Sequence, residues 1–410
     1  MLITFSNLTR LSTSPSVTGF TLVCLLACCA CALAEERSWQ TCVANLTDAA
    51  QQQGTFTPPV ETLFKNLQQL PRVKTSANRQ PEFTQTFHQY YQQRVTALRI
   101  EQGQELARTY APLLTRLEKE TGVPARYLLA LWGLETNYGR FLGRIPLPSA
   151  LATLACDNHR AEFFKKEFLA LLKIVSAGDL TETQMIGSWA GAVGHMQFMP
   201  TTYLAYAADG NGDGRKDIVA SIPDALQSAA HYLAGEGWQR GYRWGREVKI
   251  PEGFDYSLTG IDQWRSLAFW RDLGITDIYN QSLPQADISA AVLLPSGYQG
   301  PVFLVYDNFQ ILMKWNRSQH YALSVGRLAD RISGRAPLSV TPPTTKITRQ
   351  SLIDLQEGLT KLGYETGGVD GVLGPMTRRA IRTLQKEQSQ VADGYPSQRL
   401  LNLVKALTIN

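Results

Sequence analysis

In the stretch Leu128–Gly139, LLALWGLETNYG, a single carboxylate, Glu135, follows a run of apolar and small residues. Taking a carboxylate out of water is costly unless partners compensate it. Thr121–Pro124 can open a helix and Gly139 can stop one, so a helix is predicted between them. On that helix Leu128, Leu131, Trp132 and Glu135 share one face. Glu135 therefore extends an apolar stripe, close to the helix C-terminus where the macrodipole is negative. Both effects disfavour the anion and should raise its pKa. A carboxylic acid kept neutral can protonate a leaving oxygen, as general-acid cleavage of a glycoside requires. The competing reading is a glutamate satisfied by backbone donors at a neighbouring helix end.

Two other stretches could serve such an acid. GSWAGAVGHMQFMPTTY (187–203) combines glycines, which let backbone approach a ligand, with Ser188 and Gln197, which can hydrogen-bond sugar amides and hydroxyls. ILMKWNRSQHYALSVGRLAD (311–330) carries Trp315 and Tyr321, whose faces suit sugar rings; taken alone, such aromatics are more often core. A separate constellation, DGNGDGRKDIVASIPD, places Asp209, Asn211, Asp213 and the carbonyl of Arg215 at positions 1, 3, 5 and 7 of an EF-hand loop. Position 12 is Ala220 where a bidentate glutamate is expected, so the regular loop is broken. A solvated Asp/Gly turn is the simpler alternative.

The elements that must carry these residues are mostly helical. Leucine and aromatic spacing predicts helices through 35–120, from Pro124 to about Tyr232, and again at Phe309–Ile332. Between them, REVKIP, ISAAVLLP and PVFLVY are short β-rich runs within 243–306, which predict a small sheet. RAPLSVTPPTTK (335–346) reads as an exposed linker. Beyond it, 347–410 has its own pattern: Leu352, Leu355, Leu359 and Leu362 in one stripe, a glycine-rich turn, then Ala380, Ile381 and Leu384.

The composition, 44% hydrophobic and 18% charged, is that of a chain able to build real cores. At the start, GFTLVCLLACCACALA (19–34) is too short and lightly flanked to span a bilayer and ends in a small-residue cleavage pattern, so 1–34 is read as a secretory signal peptide. Lipid attachment at one of its cysteines is the second reading, since Leu26 stands where a small residue is usual before Cys28. Its removal leaves Cys42 and Cys156, a pair that suggests one disulfide in an oxidising compartment; two buried thiols are the alternative. The formal charge of +5 falls to about +4 without Arg10, which suits a polyanionic envelope, while no basic cluster of the kind that tracks nucleic acid occurs. No later segment is apolar enough to span a membrane.

Taken together, GLETNYG, SWAGAVGHMQFMPTTY, DALQSAAHYL and KWNRSQHYALSVGRLAD resemble the membrane-bound lytic murein transglycosylase B family over roughly residues 38–334. The 347–410 unit resembles the three-helix peptidoglycan-binding domain appended to many cell-wall enzymes. The resemblance implies a mainly α, lysozyme-like catalytic domain (35–334) with a small β subdomain, then the linker and the binding domain. It implies that Glu135 is the sole catalytic acid/base and that Ser188, Gln197, Tyr232, Trp315 and Tyr321 lie along the glycan cleft. It further implies cleavage of the β-1,4 bond between N-acetylmuramic acid and N-acetylglucosamine with a 1,6-anhydro product, and no cofactor for that chemistry. A structural Ca2+ is implied at the EF-hand-like loop, closed by Asp224 with help from Asp217. The implied partners are glycan strands and cell-wall synthases, and the implied location is the periplasm, soluble or lipid-anchored at the outer membrane. A hydrolytic muramidase and a non-catalytic murein-binding scaffold are the alternatives.

Overall fold

The helix that carries Glu135, Ala125–Thr136, is enclosed on all sides: every residue from Tyr127 to Leu134 is buried. The computed structural model describes residues 38–76, 85–156, 160–342 and 347–409. The segment 1–34, read above as a signal peptide, and part of the 335–346 linker lie outside them. The single apolar stripe expected for the Glu135 helix is therefore too modest a description. It is a central helix, and Leu128, Leu129 and Leu131 each contribute about 1.5–3 kcal/mol of burial. The Glu118 carboxylate of the preceding helix, Ala111–Thr121, accepts the Ala125 N–H at 3.2 Å, which satisfies one of the donors that a helix start leaves open.

Around this axis pack Ala97–Thr109, Ala111–Thr121, Ile222–Gly235 and Gln319–Ile332. A second layer is formed by Leu147–Cys156 and Ala161–Ala177. Cys42, in the first described helix (38–52), is bonded to Cys156 at the end of Leu147–Cys156, a sequence separation of 114.

The sheet is antiparallel, in the order Arg265–Ser266, Ser289–Leu293, Val302–Val305, Gly245–Lys249, Thr276–Asp277. Alternate residues serve different cores. Ala291, Leu293, Phe303 and Val305 join the helical core, whereas Ala290, Val292, Val302 and Leu304 meet Trp270 and Phe254 on the other face. Burial on both faces explains why these runs read as continuously apolar and not alternating.

The C-terminal unit packs Arg349–Lys361, Pro375–Glu387 and Gln398–Ile409 around Leu355, Leu359, Ile381, Leu384 and Leu400. Its glycine-rich turn is stapled by buried Gln356, which donates to Asp370, Val372 and Thr377 and accepts from the Asp370 and Gly371 amides. This unit rests on the β insert: Asp393 accepts the Tyr298 N–H at 2.9 Å, and Arg382 donates to the Thr259 carbonyl at 2.9 Å. Gly297, at φ +75°, allows that approach, since a Cβ there would lie 2.8 Å from the Asp393 carboxylate. The 335–346 segment is not wholly exposed either. Leu338 packs on the core, and Ser339 gives both its N–H and its hydroxyl to buried Glu247.

Candidate active site

Glu135 sits in the last turn of its helix, half-buried where its neighbours are buried. The helix ends there because Asn137 and Tyr138 turn into the left-handed region, at φ 51° and 59°. The Asn137 N–H returns to Gly133 and the Tyr138 N–H to Trp132, which closes the last carbonyls. Gly139 follows at φ +84°, and a Cβ there would come within 2.3 Å of His195, so only glycine lets the two segments meet.

That meeting ties the acid to the glycine-rich loop. Thr136 Oγ1 donates to the His195 carbonyl at 2.9 Å, and Trp132 Nε1 donates to His195 Nδ1 at 3.0 Å. Burial lowers the His195 pKa against a smaller opposing pull from Asp217. A neutral ring that accepts at Nδ1 fits this geometry.

The carboxylate receives two donors from 180 and 186 residues away: Trp315 Nε1 donates to Glu135 Oε1 at 2.8 Å, and the Tyr321 hydroxyl donates to the same oxygen. Burial, then the neighbouring Glu135 charge, push the Tyr321 pKa well above its ordinary value, so the phenol stays a donor. Hydrogen bonds to a carboxylate favour its charged form, and they oppose the burial and dipole effects expected from the sequence. The environment of Glu135 thus includes two side-chain donors and is not simply apolar.

This geometry revises the role expected for two aromatics. Tyr321 is 4% exposed and cannot offer its face to a sugar. Trp315 spends its indole N–H on Glu135, and its ring stands edge-to-face with Tyr232 at 4.8 Å and Phe198 at 5.4 Å. Tyr232, itself largely buried, completes the cluster with Phe198 at 6.0 Å. Phe198 had no assigned role in the sequence reading, although it lies inside the MQFMP stretch.

Gln197 adopts φ 49°, and its amide nitrogen donates to the Leu142 and Gly194 carbonyls. Its side-chain oxygen makes no hydrogen bond among the described residues, so it remains able to accept. Ser188 Oγ accepts the Ala192 N–H at 3.0 Å, which leaves its proton to donate. The loop holding both is braced by bridges of Val193 to Gly187 and Phe198. Sequence gave no signal for Glu167, a buried carboxylate that accepts the Thr201 N–H and hydroxyl and fixes the helix that follows Gln197.

The EF-hand-like loop is organised differently. Asp209 accepts N–H groups from Gly212, Asp213 and Gly214, which lower its pKa. Asn211 and Asp213 bond each other, and the Asp213 carboxylate also accepts the Arg215 N–H. Asp224 does not join them. Fully buried, it accepts from the amides of Gly210, Asn211 and Asp217 and from the Ser221 hydroxyl. In this geometry Asp224 braces the loop's own backbone, with three donors on Oδ1 and one on Oδ2. Among the described residues no group of three or more His, Cys, Asp or Glu side chains is placed to hold a metal ion.

Comparison with known proteins follows the same division. Residues 38–330 match the family model described as Transglycosylase SLT domain, and residues 348–404 match a putative peptidoglycan-binding domain. Membrane-bound lytic murein transglycosylase B of Escherichia coli (strain K12) is 29% identical over 250 residues, which cover 60% of this chain and 66% of that protein. SltB3 from Pseudomonas aeruginosa, solved with NAG-NAM-pentapeptide, is 39% identical with a TM-score of 0.86 over 89% of this chain and 99% of its own. The Escherichia coli transglycosylase Slt35, solved with calcium, is 26% identical with a TM-score of 0.60 over 72% of this chain and 92% of its own.

Proposed function

The chain belongs to the SLT transglycosylase family, and we propose that it cleaves peptidoglycan strands as a lytic murein transglycosylase from a single acid/base, Glu135. The observation that carries this reading is the carboxylate gripped on one oxygen by Trp315 and Tyr321. In its acid form Glu135 holds the proton that is transferred. From there it passes to the glycosidic oxygen between N-acetylmuramic acid and N-acetylglucosamine as the C1–O bond breaks. The muramyl acetamido oxygen closes on C1. In the second step Glu135, now a carboxylate steadied by the same two donors, takes the proton of the 6-hydroxyl while that oxygen displaces the acetamido group. The product carries a 1,6-anhydro end and no water is added.

Ser188 and Gln197 are left with one donor and one acceptor for the sugars, and the Trp315–Tyr232–Phe198 cluster forms the apolar wall beside the acid. Glu236, tied to the Tyr206 hydroxyl and paired with Lys314 at 3.0 Å, has both oxygens engaged and is assigned no chemical step. The reaction uses no cofactor. A Ca2+ in the EF-hand-like loop would be held by Asp209, Asn211, Asp213 and the Arg215 carbonyl without Asp224, and would brace that loop only.

The 1–34 segment is read as directing export to the periplasm, with lipid attachment at the outer membrane as the other mode of residence; no described helix is long and apolar enough to cross a membrane. Cell-wall synthases are the protein partners this setting implies. Digestion of purified sacculi tests the reading: anhydro-muramyl termini are expected, reducing termini would make the enzyme a muramidase, and the absence of both would leave a scaffold.

A further inference from the structure

The C-terminal unit meets the catalytic body across two adjoining cavities of about 300 and 290 Å³. Both are walled by Gln319 from the body and by Leu373, Pro375 and Arg378 from the C-terminal unit. Arg378 thus stands at their junction. Its guanidinium makes no hydrogen bond or ion pair among the described residues, and burial, with the neighbouring Arg382 charge, lowers its pKa to about 10. Asp393, the acid that faces it, is committed elsewhere: Oδ1 accepts from Gln385 and Tyr395, and Oδ2 from Tyr298.

The surrounding charge deepens the deficit. The second cavity has four cations, Arg378, Arg379, Arg382 and Lys386, against two acids, Asp262 and Asp393. Arg382 reaches Thr259 through one nitrogen while its buried Nε finds no partner. The half-buried Arg378 guanidinium has no acceptor among the described residues, and its planar fork matches a carboxylate. The first cavity adds Arg317 and an apolar wall of Phe87, Pro295 and Leu352, with no acid. Such a lining suits a short peptide ending in a carboxylate better than a polyhydroxylated sugar.

We propose that this junction is a carboxylate-binding site, centred on Arg378, for the peptide stem of the glycan strand engaged at Glu135. The choice of a murein peptide rests on the function proposed above. The site shares a helix with the catalytic centre: Gln319 and His320 line it, and Tyr321, the next residue, holds Glu135. Stem recognition and acid placement therefore act on one helix start, in Gln319–Ile332.

The test is calorimetry on the full chain with an N-acetylated pentapeptide whose only charge is its C-terminal carboxylate, against the same peptide amidated. The acid should bind about tenfold more tightly or better, the value of a charge-assisted bond. Arg378→Met should abolish that preference and Arg378→Lys should retain part of it. Equal affinity for acid and amide on the unaltered chain overturns the proposal even if Arg378→Met fails to fold. So does an acid preference that survives in folded Arg378→Met, or displacement of the peptide by acetate or inorganic phosphate at equal concentration. Sacculus digestion is a separate readout: a chain that clears no murein yet binds the acid peptide would sink the catalytic reading and keep the anion site.

Discussion

Glu135 and the Asp209–Asp224 loop both rest on carboxylates, but what holds each one differs. Glu135 is held by an indole and a phenol from 180 and 186 residues away. Asp224 is held by three amides and a hydroxyl from within fourteen residues. Local backbone donors saturate a carboxylate and make it a fastening. Distant side-chain donors instead tie Glu135 to a remote part of the chain. The kind of partner, and not burial alone, distinguishes the two carboxylates, and it is this difference on which the proposed role of Glu135 rests.

Substitutions should divide along that line. Glu135→Gln removes the only proposed proton carrier and should lower the rate of anhydro-product release by about 10³-fold or more, with the melting temperature nearly unchanged. Asp224→Ala should do the reverse. Stranding several buried donors should cost about 2–4 kcal/mol in denaturant unfolding while the folded fraction keeps its turnover rate. A lost rate at full stability would erase the distinction.

Acid should act on the Glu135 side first. His320, enclosed beside Arg378, has its pKa lowered to about 4 by burial and then by that charge. A histidine with a depressed folded pKa contributes no penalty above its ordinary value near 6.5. It destabilises progressively as pH falls toward 4, by up to about 3 kcal/mol. Thermal melts between pH 7 and 4 should show that slope, and His320→Gln should flatten it; an unchanged slope would detach His320 from the effect.

Tyr321→Phe deletes one donor to Glu135 and should lower kcat about tenfold with little change in KM, as for a group that steadies the carboxylate formed during reaction. A pure KM effect would mean that Tyr321 acts on substrate binding. The smallest response is expected from calcium: with Asp224 already satisfied, adding it should raise the melting temperature by no more than about 2 °C. A large rise would show that the loop rearranges to bind it.

The residues of this comparison were unequally legible in the sequence. The order of ETNYG, the Ser188–Gln197 segment and the Trp315–Tyr321 pair pointed to the acid, because such spacing survives in one dimension. Which edge of an aromatic ring faces a partner does not. Tyr321 therefore looked like a platform and is a buried donor. The network of amides around Asp224 was likewise invisible, since its place after the Asp/Asn repeat says nothing of which backbone donors reach it. The strands at 245–305 announced themselves by β-branched runs. The seat of the C-terminal unit on the insert did not, since one Asp393–Tyr298 contact across 95 residues leaves no periodic mark.

The grip of Glu247 on Ser339 has a consequence for reach. From that fixed point the chain has only seven residues, eight backbone steps in all, before Ile347, where the C-terminal core begins. Even drawn out straight they span no more than about 29 Å. Were the two bodies to part, the start of the C-terminal unit would stay within that span of Ser339, on a short leash.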